Sequence, residues 1–286
     1  MIEDLSAEFP IHALCLALQV QRSGYYRWLQ RGPGQRERSN DQLLRCLRQA
    51  YQESRQTYGS PRLTRQLKRQ NIVCSENRIA RLMKRHGIRA KQKRPFRPRT
   101  TDSRSVQSAA PNRLKELKAP VRLDQAWAAD ITYVWTVAGW VYLAAVMDLC
   151  SRKIVGWSLA RSLETSLVKE ALKQGLAMRR PDPGLLHHSD RGIQYASSAF
   201  QALLLTHEII PSMSAKGNCY DNAAMEAFWS TLKAELIHDR CFRDLAEARL
   251  AIFDYIETFY NRRRLHSALG YKSPVEFEEQ LNYKKN

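Results

Sequence analysis

The sequence predicts an α/β protein: an all-helical N-terminal region, a mixed β-sheet with helices on its faces, and a helical C-terminal tail. Three observations carry this. Residues 1–120 hold 26 Lys and Arg against 9 Asp and Glu, whereas residues 121–286 hold 20 against 19. Short amphipathic runs punctuated by Pro and Gly fill the basic part. From Trp127 onward the texture turns β-branched and aromatic. At 286 residues the chain is long enough for two domains with a real core. Its 44% hydrophobic and 26% charged residues exclude wholesale disorder. No run approaches the ~18–20 apolar residues of a membrane span, and the opening MIEDLSAEFP lacks a signal core. The six cysteines (15, 46, 74, 150, 219 and 241) form no C-x-x-C pair. Reduced thiols, a cytoplasmic location and no membrane partner are therefore expected.

The basic part reads as helices. Apolar spacing marks Ile11–Leu18, and a second short run, Gly24–Leu29, stops at Pro33-Gly34. An amphipathic run from Ser39 to about Glu53 carries Leu43, Leu44, Leu47 and Tyr51 on one stripe. Pro61 marks the first helical position of a run from Arg62 to about Gln70. Ser75 caps a further helix ending at Gly87. Helix, short turn and basic helix make a helix-turn-helix pattern, so Arg78, Arg81, Lys84 and Arg85 are candidate DNA contacts in a major groove. The plain alternative is a solvated basic face. Boundaries follow: a small helix-turn-helix at 1–35, a second at 36–90, and a linker at 91–120. In the linker, Lys91, Lys93, Arg94, Arg97 and Arg99 alternate with Pro95 and Pro98. A catalytic core at 121–240 and a helical extension at 241–286 complete the chain.

In the core, Ala126–Thr136, Trp140–Leu149 and Lys153–Leu159 read as an antiparallel meander. A helix Ser166–Arg179, a strand Leu185–His188, a helix Ser197–His207, a strand Ile209–Ser214 and a helix from about Asn222 follow. Three acids hold odd positions. Asp130 is mid-strand, where aspartate is disfavoured. Asp190 closes a strand, and Glu226 lies one turn into an otherwise apolar helix. Strand ends and helix starts of a mixed sheet can bring such groups together. Three clustered carboxylates repel unless a cation compensates. Hard oxygen donors suit Mg²⁺, with Mn²⁺ also compatible. Two ions ~3.5–4 Å apart can hold the attacking and leaving oxygens of a displacement at phosphorus. Asp130 would bridge both; Asp190 and Glu226 would each complete one. Lys233, nearly two helical turns after Glu226, would share its face and meet a phosphodiester. Asp148 rivals the first carboxylate but suits a turn, Asp221 suits a helix cap, and His187 and His188 suit the core better than zinc.

The segments WAADITYVWT, LLHHSDRGIQYAS, SMSAKGNCYDNAAMEAFWSTLKAELIH and YNRRRLHSALGYKSPVEFE resemble the catalytic subunit, encoded by the second reading frame, of bacterial insertion-sequence transposases related to retroviral integrase. The helix-turn-helix YGSPRLTRQLKRQNIVCSENRIARLMKRHGI extends the resemblance over nearly the whole chain. It implies an RNase H-like integrase core with a D-D-E triad matched by Asp130, Asp190 and Glu226, and a basic residue matched by Lys233. It also places Arg262–Arg264 and His266 near DNA. The implied activity is two-metal-dependent nicking at the terminal inverted repeats of a mobile element, then strand transfer into target DNA. A homo-oligomer should hold the two ends. The family's active protein often fuses this part to an upstream-frame segment; this chain starts at its own Met1 without a sustained heptad, so it is expected to be the downstream product, with the upstream-frame protein a candidate partner. A non-catalytic DNA-binding regulator and an RNase H-type nuclease are the alternative readings.

Overall fold

The computed structural model describes residues 2–30, 32, 34–91, 110–117, 120–214 and 222–283. Most of the expected linker and the proposed cap Asp221 lie outside these residues. The chain forms two compact units, Met1–Arg89 and Ala90–Asn286.

The first unit is helical: α1 (Ile2–Leu5), α2 (Ile11–Ala17), α3 (Arg22–Gln30), α4 (Gln35–Glu53), α5 (Ser60–Arg69) and α6 (Glu76–Arg85). The last three helices pack on one another. Leu43, Leu44 and Leu47 of α4, Leu63 and Leu67 of α5, and Ile79, Leu82 and Met83 of α6 are buried. Helix α4 begins four residues before Ser39, because Gln35-Arg-Glu-Arg are all good helix formers once past Gly34. The Ser75 hydroxyl accepts from the Arg78 N–H and starts α6.

The second unit is built on five strands: β1 (Ala126–Thr136), β2 (Gly139–Asp148), β3 (Ile154–Ala160), β4 (Leu186–Ser189) and β5 (Ile210–Met213). Their spatial order is β3-β2-β1-β4-β5. The first three form the antiparallel meander, while β4 runs parallel to β1 and β5 parallel to β4. Strand β1 is thus the centre of a mixed sheet. Helices α7 (Thr165–Arg179), α8 (Ile193–Ala196), α9 (Ser198–Thr206) and α10 (Ala223–Leu232) interleave with and follow the later strands. A core of Trp127, Ala129, Val146, Val155, Leu172, Phe200 and Met213 fills the space between sheet and helices.

One crossing is unusually close. A Cβ on Gly156 of β3 would lie 2.1 Å from the Ala171 carbonyl oxygen and 2.7 Å from the Gly175 nitrogen, both backbone atoms of α7. Only glycine lets strand and helix approach so far.

Residues 241–283 pack within the same unit rather than apart from it. After α10, a π-helical stretch Lys233–Ile237 leads to α11 (Leu245–Phe253), a second π-helical stretch Asp254–Tyr260, and α12 (Pro274–Tyr283). These elements cover the outer border of β3. The Asn261 carboxamide accepts from the Ile154 N–H and donates to its carbonyl, both at 3.0 Å, as a neighbouring strand would. Arg249 donates to the Leu159 carbonyl at 2.6 Å, and the Trp157 indole donates to Glu257 at 3.0 Å. Glu278 of α12 accepts from the Ser151 hydroxyl, Lys153 and Arg179. Among the described residues no helix is long and apolar enough to cross a membrane.

Candidate active site

Strand register brings the first two acids level. Ala128 of β1 pairs with His188 of β4 in parallel, so two residues further on Asp130 stands beside Asp190 at the strand end. Asp130 is held at both oxygens: Oδ1 accepts from the Ile131 N–H at 2.8 Å, and Oδ2 from the Trp229 indole N–H of α10 at 3.0 Å. Glu226 lies three residues before Trp229 on that helix, is exposed, and its charge reaches Asp130. Asp190 Oδ1 accepts from the Gly192 N–H at 2.9 Å.

The electrostatics follow from this placement. Burial pushes the Asp130 carboxyl up, and the charges of Asp190 and, more weakly, Glu226 add to it. The Ile131 and Trp229 donors oppose, and the result is a value of about 7. Asp190 keeps solvent access, yet the protein crowding its carboxyl raises it too, against the pull of the Gly192 N–H. The three acids therefore share one field of negative charge. Among the described residues no three His, Cys, Asp or Glu side chains are gathered closely enough to hold a single ion.

Lys233 is half-buried, with its ammonium 4.8 Å from the centre of the Tyr133 ring. Burial lowers its pKa, and the Asp130 charge works in the other direction. Tyr195 of α8 is fully buried, and its hydroxyl lacks a hydrogen-bond partner among the described residues. Burial and the charges of Asp130 and Asp190 raise it well above its usual value, so it remains a neutral phenol behind the acids. The rival acid Asp148 is a turn residue: its Oδ1 accepts from the Cys150 and Ser151 N–H groups and its Oδ2 from the Asp124 N–H. The two histidines are structural. His188 bonds the Ser212 and Ser214 hydroxyls, while His187 packs on Tyr195 and Phe200 and burial lowers it to about 4.

Comparison with known proteins adds the family. An integrase core domain model matches residues 120–219, a second integrase core model matches 226–281, and an HTH-like domain model matches 38–96. The insertion element IS600 uncharacterized 31 kDa protein of Shigella sonnei is 43% identical over 269 residues, 94% of this chain and 98% of that protein. The transposase InsF for insertion sequence IS3A of Escherichia coli (strain K12) is 40% identical over 279 residues, 97% of this chain and 96% of that protein. The chain belongs to this family of insertion-sequence transposases. Among solved structures, the BIV integrase catalytic core domain aligns with a TM-score of 0.42 and 17% identity, over 57% of this chain and 99% of that one.

The transposase is thus a DNA-binding polynucleotidyl transferase with an integrase core. Its expected DNA contacts divide once their surroundings are known. Arg81, Lys84 and Arg85 are exposed on α6, and Arg81 and Arg85 line a groove with Arg36 and His86. Arg78 is partly exposed and lines the same groove, while its guanidinium donates to Asn40 at 2.9 Å and Ser39 at 2.8 Å and so fastens α6 to α4. Arg264 departs from expectation. It is 5% exposed and forks onto Glu235, with Nη2 to Oε1 at 2.6 Å and Nε to Oε2 at 2.9 Å. Burial opposes its charge, but Glu235 more than compensates and raises its pKa. Tyr255 adds a 2.7 Å hydrogen bond to the same carboxylate. An arginine so enclosed has no fork left for a phosphate. His266 is half-buried, its ring 4.8 Å from that of Tyr260. Within Tyr260–Tyr271, Arg264 is thus enclosed, Arg262 and Arg263 are exposed, and His266 keeps part of its surface open to solvent.

Two side chains beside the acids were not singled out by the sequence. Trp229 reads as a core aromatic, and only the packing of α10 on β1 shows that it orients Asp130. Tyr195 falls inside the segment LLHHSDRGIQYAS, but no spacing marks it there, since its place depends on the sharp exit from β4.

Proposed function

We propose that Asp130, Asp190 and Glu226 form the catalytic centre of this transposase and that the centre takes two divalent cations of the Mg²⁺ or Mn²⁺ type. The observation that carries the reading is the Asp130 carboxyl, fixed at both oxygens on the central strand and raised to about 7 by burial and by the other two acids. Hard carboxylate donors in an uncompensated negative field fit such ions. When bound, they would supply Lewis-acid stabilisation of the attacking and leaving oxygens at phosphorus.

The chain's own residues do the rest. The Trp229 indole and the Ile131 N–H aim the Asp130 oxygens, the Gly192 N–H aims Asp190, and the Lys233 ammonium offsets phosphate charge beside the acids. Water attacks a phosphodiester at the element end and frees a 3′-hydroxyl. That hydroxyl then attacks a second phosphodiester, releasing a new 3′-hydroxyl, so the number of phosphodiester bonds is conserved in this second step. The exposed basic side chains of α6 would hold the terminal inverted repeats. Because two ends must meet, the working form would contain at least two copies; the upstream-frame protein is a further candidate partner.

Asp130→Asn, Asp190→Asn and Glu226→Gln should each reduce nicking of an end-bearing duplex to background in Mg²⁺ while end binding persists in a gel-shift assay. Nicking at the wild-type rate in any of them would remove that residue from the centre.

A further inference from the structure

Tyr133, Trp135 and Trp140 form an aromatic ledge on the β1–β2 hairpin. Their side chains are 49%, 50% and 50% exposed, although such rings are normally buried. Trp135 and Trp140 face each other across the strands, with ring centres 4.8 Å apart, and Tyr133 lies edge-on to Trp140 at 5.2 Å. The ledge is rigid. The Thr136 hydroxyl donates to the Gly139 carbonyl, and the Val137 and Ala138 N–H groups donate to the carbonyls of Phe242 and Arg243. A ligand placed on it meets a strand pair whose backbone is already held in place.

Two neighbours define what it fits. The Lys233 ammonium lies 4.8 Å from the Tyr133 ring centre, which puts a cation at the border of the aromatic surface. Asp130 lies three residues before Tyr133 on β1, so its side chain leaves the opposite face of the sheet, yet its charge still acts on the same Lys233 ammonium. An apolar partner alone would not call for the ammonium, and a duplex backbone alone would not call for the rings. Flat π-faces beside a cation match a nucleobase with its phosphate.

We infer that this ledge receives an unpaired nucleobase of the DNA end, stacked on Trp135 and Trp140, while Lys233 holds the adjoining phosphate beside Asp130. The inference rests on the reading of Asp130 as part of the catalytic centre. Stacking tolerates any base, so the ledge favours frayed over fully paired ends without reading their sequence.

The test uses the full chain with EDTA present, so that no step of catalysis contributes. The probes are a blunt duplex and the same duplex with a frayed terminus carrying 2-aminopurine at an unpaired position. The wild-type chain should bind the frayed probe more tightly and quench the fluorophore. Trp135→Thr and Trp140→Thr, which keep strand propensity at exposed positions, should each lower that preference about tenfold, the size of one base–aromatic stack. Trp140→Phe should retain most of it. Equal preference and equal quenching in the threonine variants would overturn the inference, as would an unquenched probe with the wild-type chain. Loss of a dimer in the variants with unchanged DNA preference would instead mark the ledge as an interface between copies. Failure here leaves the nicking test of the three acids untouched, and loss of the triad assignment leaves quenching unaffected.

Discussion

Arg264 shows how one side chain's surroundings decide its role. From the sequence it stands among three arginines next to a histidine, a pattern that reads as a phosphate grip. In the fold its guanidinium is enclosed with Glu235 and the Tyr255 hydroxyl. Removing one partner of such a pair strands the other charge in the interior. Arg264→Ala should therefore destabilise the protein by about 3–5 kcal/mol in chemical denaturation. Replacing Arg264 and Glu235 together with apolar residues of similar volume should recover most of that loss. The slope of DNA affinity against salt should stay unchanged in Arg264→Ala, whereas a true phosphate contact would lower it by about one. Asp130, Asp190 and Glu226 stood out in the sequence because acids are rare in mid-strand and on apolar helix faces. Trp229 did not, since an indole among apolar residues has no signature of the carboxylate it will meet.

Elements were easier to read than side-chain partners. The sequence expectation for β1 coincides with the observed Ala126–Thr136, and β2 and β3 differ from it by a residue at either end. Runs of β-branched and aromatic residues ended by glycine turns leave little freedom in a meander. The π-helical stretches Lys233–Ile237 and Asp254–Tyr260 gave no such sign, because a widened turn comes from packing and not from local preference. The meeting of β3 and α7 depends on pairing two glycines distant in sequence. Gly156→Ala should cost about 1–3 kcal/mol or more, because backbone lies on the far side of the clash. Gly175→Ala should cost less, its added methyl meeting the Trp127 and Val155 side chains at 3.2 and 3.4 Å. Thermal unfolding of the two variants would rank them.

Across the whole molecule, positive charge is concentrated in the first 120 residues and the acids of the proposed centre lie in the near-neutral remainder. Binding and chemistry should therefore separate experimentally. Arg81→Ala and Lys84→Ala should each weaken DNA binding and lower the slope of log affinity against log salt by about one, with little effect on which sequence is preferred. An unchanged slope would mean that these side chains face only solvent. The sealed border of β3 has a consequence for synthesis. Ribosomes deliver Arg249, Glu257 and Asn261 well after all five strands. Until they emerge, a nascent chain leaves the Ile154 N–H and the Ile154 and Leu159 carbonyls of that flank without these partners, inviting intermolecular strand pairing. Products halted upstream of residue 249 should accordingly clump and be degraded, so truncated polypeptides that still carry the basic helices would seldom survive to compete for DNA.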